Sequence, residues 1–195
     1  MNSLNLPLLT IITFLPLVGI PLLLMIKREQ EEAMKRVAFG ISALTFVVSL
    51  ALPVFFVPGT AEPQFVDRVP WVLQWGIQYF LGVDGISLWL VLLTTLLSPI
   101  ALLSSWNAIH DRLKEYLIFM LLLETGMVGV FVTLDLFLFY IFWEFTLVPM
   151  YFLIGIWGGP RRVYAAVKFF LYTMAGSILM LLAIISLWQI GRAHV

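Results

Sequence analysis

The chain has 195 residues, 62% of them hydrophobic and 15% aromatic, with a mean hydropathy of +1.05, and its 11 basic and 11 acidic side chains leave no net charge. A water-soluble domain carries roughly twice that density of charge, so a soluble fold and a basic face for nucleic acid are both excluded. Cysteine is absent and the two histidines are His110 and His194, which excludes disulfides, thiolate metal sites, iron–sulfur clusters and paired haem ligation within the chain.

A helix needs about 20 apolar residues to cross the hydrocarbon core. Six stretches meet that length, at 6–26, 37–57, 84–106, 113–132, 134–156 and 163–187, and they predict an all-α, polytopic transmembrane helix bundle. The first two spans make an N-terminal pair within 1–57. Span one is too long for a signal-peptide core and lacks a basic start and a small-residue cleavage site. Residues 58–83 read differently. Pro58, Gly59, Pro63, Pro70 and Gly82 break them up, while Trp71, Trp75, Tyr79 and Phe80 supply aromatic rings. This composition predicts an external interfacial loop with a short helix lying in it, or a docking surface for a partner subunit.

Residues 84–188 hold the remaining four spans. Asp84 and Asp135 stand at span starts and are expected to cap helix N termini; Ser98 and Pro99 predict a kink. Residues 189–195 read as a non-native tail. The six residues IGRAHV at 190–195 and a stop are what a common sequencing-adapter string encodes, so the natural reading frame is expected to continue past about Trp188.

Orientation follows from the short loops. Lys27, Arg28, Lys35, Arg36, Arg112, Lys114, Arg161 and Arg162 fall on one side, against Arg68 on the other. Basic loops stay inside, which places the N terminus outside.

Ionisable residues within spans are costly and each needs a reason. Glu144 lies about ten residues into span five, on the order of 15 Å from its outer end. Its neighbours one turn away, Tyr140, Ile141, Leu147 and Val148, are neutral. Glu144 must therefore carry its proton, face water within the protein, or pair with a cation from another helix. Desolvation favours the neutral acid and a nearby lysine opposes it, a balance suited to loading and releasing a proton. Pro149 removes the helical hydrogen bond to the carbonyl of Phe145 and opens the backbone beside that acid.

Glu124, near the middle of span four, is followed by Gly126 and Gly129, which admit a close helix. It reads either as a second protonatable site or as a helix-to-helix hydrogen bond. Lys168 lies about five residues into span six and either snorkels to the interface or joins a polar stripe with Tyr164, Tyr172, Thr173 and Ser177. No nucleotide-binding loop, metal motif or nucleophilic triad is evident.

These residues carry a resemblance. The run DLFLFYIFWEFTLVPMYFLIGIWGG at 135–159, continued as RRVYAAVKFFLYT at 161–173, closely resembles the antiporter-like M-type subunits of respiratory complex I, equivalent to mitochondrial subunit 4. The segment LGVDGIS at 81–87 is similar to that family's approach to its third helix, and the likeness extends over residues 1–188.

The resemblance implies a proton-translocating subunit of an NADH:quinone oxidoreductase. It implies an antiporter-like fold of about fourteen helices with two inverted five-helix repeats, of which this chain holds the first part. Glu144 occupies the place of the glutamate in the family's Trp-Glu…Pro motif, with Trp143 and Pro149 as its flanking members. It is implied to transfer protons, with Lys168 and Glu124 as further members of the path. The family pairs that glutamate with a lysine on a seventh helix, beyond this chain.

NADH, flavin, iron–sulfur clusters and quinone are expected on partner subunits, with no cofactor or metal in this chain. The partners are the other membrane subunits and the bilayer, in a bacterial inner membrane or, for an organellar protein, the mitochondrial inner membrane. The alternative is a subunit of a multi-subunit cation/proton antiporter. A transport-silent membrane anchor is disfavoured by the acid beside a proline.

Overall fold

The computed structural model describes residues 6–60 and 62–193, with side chains as far as Ile190. His194 and Val195, in the tail singled out above, lie outside the described residues. In chain order the elements are α1 (Leu8–Met25), α2 (Glu31–Ser49), α3 (Ala51–Phe55), β1 (Gln64–Val72), β2 (Ile77–Val83), α4 (Ser87–Ser104), α5 (Leu113–Val132), α6 (Leu136–Trp157) and α7 (Arg162–Ala193). With α2 and α3 forming one apolar segment, six helices are long and apolar enough to cross a membrane. The expected helix bundle is therefore present, with one hairpin added to it.

Helices α1, α2, α4 and α5 pack against one another, α6 lies on α5, and α7 lies on α6. Two apolar clusters hold the bundle. One, near the hairpin, contains Leu9, Ile12, Leu81, Val91, Val132 and Phe142. The other, at the opposite end, contains Leu23, Met34, Ala38, Leu102, Leu117 and Leu121. Lipid offers no hydrophobic drive for helix association, so close backbone approach must supply dispersion contacts. Gly126 and Gly129 do this on α5. A Cβ at Gly126 would lie 2.7 Å from Thr146 Cγ2, and one at Gly129 would overlap the ring of Phe142.

Helix α2 begins at Glu31, six residues before the expected span. Lys35 and Arg36 thus sit on its first turns instead of in a loop. Paired acids explain the extension: Glu31 and Glu32 occupy the favourable N-terminal turn, and each carboxylate stands 3.9 Å from Lys35 Nζ. At the same end of the bundle Arg28 pairs with Glu115 at 2.7 Å. Lys114 Nζ donates to the carbonyls of Ile26 and Leu24 at the end of α1, where a cation suits the helix dipole.

The short interfacial helix expected within 58–83 is not formed. Residues 64–83 make an antiparallel hairpin in which Asp67 opposes Leu81, Arg68 opposes Phe80 and Val69 opposes Tyr79; the only helical piece is a 3-10 turn at Leu73–Trp75. Val66, Val69 and Val72 favour extended backbone, Pro70 cannot sit inside a helix, and Gly76 closes the turn at φ 74°. The hairpin is tied to three helix ends. Thr10, in the first turn of α1, donates from its backbone nitrogen (3.2 Å) and its hydroxyl (2.9 Å) to Asp67 Oδ2. Leu134 N donates to Phe80 O at 2.9 Å, between α5 and α6. Asp135 accepts the Phe137 and Leu138 amides through Oδ1, capping α6 as expected, and the Gln78 amide through Oδ2.

Candidate functional site

Glu144 is the ninth residue of α6 and is half-buried. The face of α6 that carries it packs on α7: Tyr151 meets Phe170 edge-on at 5.4 Å, and Gly155 approaches Ala166. Tyr140, one turn before Glu144, lies near both the Glu144 carboxyl and the hydroxyl of Ser177 on α7, and that hydroxyl donates to the Met174 carbonyl at 3.0 Å. Glu144 Oε1 itself is buried and has no hydrogen-bond partner among the described residues. Pro149 is buried five positions further on, so the Phe145 carbonyl loses its helical donor one residue from the acid. Trp143 stacks on Phe139 at 6.0 Å and is partly exposed. The result is a carboxyl, a phenol and a hydroxyl in one seam, beside an opened helix. Such a group can hold a proton and pass it to water or to a polar neighbour.

Lys168 is not brought to Glu144. Its side chain is exposed and its Nζ lies 5.8 Å over the Tyr164 ring. Ser177, which faces the Glu144 region, is nine residues further along α7, about 14 Å away. At that separation, with an effective dielectric near 20, two unit charges attract by only about 1 kcal/mol. That is too weak for an ion pair, so Lys168 is not the partner of Glu144. Lys168 gathers instead with Arg161, Arg162, Tyr164 and Tyr172 around an open groove of about 680 Å³. The polar stripe of Tyr164, Lys168 and Tyr172 thus faces away from this bundle, with Tyr172 82% exposed, whereas Ser177 is buried.

Glu124 is 1% exposed and lies on a different seam. Its carboxyl faces Ser42 on α2, while Gly126 and Gly129 carry the α6 contact. Glu124 and Glu144 therefore sit on separate sides of the α5–α6 contact. Sequence reasoning passed over Ser42 and treated Tyr140 only as a neutral neighbour. The signals were present: Tyr140 stands at i−4 from Glu144, and Ala38, Ser42, Thr45 and Ser49 form a small, polar and buried stripe along α2. Among the described residues no group of three or more potential metal ligands occurs.

Residues 133–193 match the family described as NADH:quinone oxidoreductase/Mrp antiporter, transmembrane. The chain is 48% identical over 188 residues to the NADH-quinone oxidoreductase subunit M of Rhodobacter capsulatus, covering 94% of this chain and 36% of that protein. It is 45% identical over 174 residues to the NADH-ubiquinone oxidoreductase chain 4 of Chondrus crispus, covering 89% and 35%. Among solved structures, a chain of respiratory complex I from Thermus thermophilus with bound NADH superimposes with a TM-score of 0.76 at 28% identity, over 91% of this chain and 35% of that one. A chain of the Mrp complex from Dietzia gives a TM-score of 0.72 at 21% identity, over 90% and 18%, which shows a shared fold. The chain spans about a third of the length of the curated relatives it matches.

Proposed function

With residues 133–193 assigned to the NADH:quinone oxidoreductase/Mrp antiporter transmembrane family, we propose that the chain is part of a proton-translocating membrane subunit of an NADH:quinone oxidoreductase. The observation that carries this reading is Glu144, a carboxyl inside a membrane-spanning helix that no cation pairs with among the described residues, next to Tyr140, Ser177 and the backbone opened by Pro149. The 48% identity to a subunit M supports the same reading. Electrons pass from NADH to quinone on partner subunits that hold flavin and iron–sulfur clusters. This chain supplies none of those ligands and contributes proton transfer.

Glu144 carries its proton while its surroundings are dry, and gives it up when water or a cation enters the α6–α7 seam. Lys168 supplies positive charge at the basic end of α7, and Glu124 holds a second proton. The partners are the other membrane subunits of the complex and the bilayer, which is a bacterial inner membrane or, for an organellar protein, the mitochondrial inner membrane. The N terminus and the hairpin face outward, and the Arg161–Arg162 loop faces inward.

Function as a cation/proton antiporter subunit shares this fold. The higher identity to subunit M favours the oxidoreductase. Purifying the full-length protein from its native membrane in mild detergent tests the choice. Other membrane subunits and an NADH-oxidising arm should accompany it; a stable monomer that moves ions unaided contradicts the proposal.

A further inference from the structure

We propose that Glu124 and Ser42 form a second proton-holding site, buried on the α2–α5 seam and separate from Glu144. Glu124 is 1% exposed and Ser42 is fully buried. Ser42 lies within interaction range of the Glu124 carboxyl across the α2–α5 contact, and neither Ser42 Oγ nor Glu124 Oε1 has a hydrogen-bond partner among the described residues. A buried polar pair in this position satisfies itself by small side-chain rotations, or with an internal water between its atoms.

The surrounding charges decide its protonation. Helices α1 and α4, both packed on α5, carry no charged side chain. On α2, Glu31, Glu32, Lys35 and Arg36 all lie in the first turns. Lys35, the closest along the helix, is seven residues from Ser42, about 10 Å, and is engaged with Glu31 and Glu32. On α5 itself, Lys114 and Glu115 are about 14 Å away or more along the axis. On α6, Tyr140 and Glu144 face α7. A carboxylate at Glu124 would thus be buried without a counter-ion, at a cost of several kcal/mol. The acid form carries one proton and can both donate to and accept from Ser42. Because the α5–α6 contact is closed by Gly126 and Gly129, this proton is not shared with Glu144. The site rests on the proton-translocation reading only for its use in turnover; its protonation and its partner do not depend on that reading.

Infrared spectroscopy of the full-length subunit in its assembled complex, exchanged into heavy water, reads the site directly. A protonated-carboxyl stretch should be present at neutral pH, lost in Glu124→Gln, moved in frequency in Ser42→Ala and kept in Glu144→Gln. It should also lose amplitude reversibly as the pH is raised. A band untouched by Glu124→Gln, lost in Glu144→Gln, unmoved by Ser42→Ala, or constant at every pH at which the complex stays assembled overturns the proposal. If Glu124→Gln does not assemble, the other two variants decide: a shift in Ser42→Ala with persistence in Glu144→Gln upholds it, and no shift overturns it. Failure here leaves Glu144 unaffected, because that role is read separately from proton pumping.

Discussion

The ring of Phe142 lies on the backbone of Gly129, so close that any Cβ there would overlap it. This contact seals α5 to α6 and keeps apart two acids at one depth. Glu124 and Glu144 each stand eight residues from the hairpin-side end of their helix, yet face α2 and α7 respectively. Gly129→Ala should therefore destabilise the protein by about 1–3 kcal/mol through overpacking, read as a lowered unfolding midpoint in detergent. Gly40→Ala on α2, where a Cβ meets nothing within 4 Å, should be neutral or slightly stabilising, since alanine favours the helix. Equal effects from the two variants would contradict the packing described.

Asp67 holds the hairpin to the start of α1, accepting twice from Thr10, whose hydroxyl also meets Tyr79 Oη at 2.9 Å. Hydrogen bonds to a charged group contribute about 1.5–3 kcal/mol. Asp67→Ala should release the hairpin locally and expose the Trp71–Trp75 turn to protease, while the helices stay folded by circular dichroism. Unchanged cleavage there would show that the hairpin is held by other contacts.

Asp84 gives a pH dependence. The backbone N–H and then the hydroxyl of Ser87, with the Ile86 amide, hold its carboxyl below the usual carboxylate range, and Asp84 Oδ1 accepts from Ser87 N at 2.7 Å. A depressed carboxyl contributes stability that is present above its unfolded titration range and lost as the pH falls through the folded one. The stability gap between the native protein and Asp84→Ala should thus be full at neutral pH and close below about pH 4. The side chain is exposed and the effect is correspondingly modest. A gap that persists into acid would assign it to something other than the charge.

The orientation read from the basic loops is tested by reporters in the full-length protein. Fusions after Arg36 or Arg162 should read as cytoplasmic, and one near Glu62 as external. Reversed signals would move Arg161, Arg162 and Lys168 to the outer side and reverse the direction in which protons approach Glu144.

The six spans were legible because each is a long apolar run bounded by charge or by Gly and Pro, as at Lys27 and at Gly158–Pro160. Asp135 was legible as a cap because it directly precedes such a run. The hairpin was not: Trp71, Trp75, Tyr79 and Phe80 carry the same interfacial signal whether the backbone is helical or extended, the decisive Pro70 was read as a loop marker, and Gly76 was passed over. At the site, Glu144 and Pro149 stood out as an acid and a helix breaker in hydrocarbon. The partners of each acid depend on helix rotation and packing, which no single span reveals. For that reason Ser42, 82 positions from Glu124, was missed, and the sequence left Lys168 between the interface and a polar stripe.

The central claim is that Glu144 moves protons. Proton pumping driven by NADH oxidation, measured in vesicles containing the complex with Glu144→Gln in the full-length subunit, tests it most directly. Glutamine keeps the size and a hydrogen-bonding group but carries no exchangeable carboxyl proton. Coupled pumping should fall by about a hundredfold or more, the loss expected of a general acid–base group, while the complex still assembles, and Glu144→Asp should retain part of the activity. An assembled Glu144→Gln complex that pumps at the native rate would contradict the account.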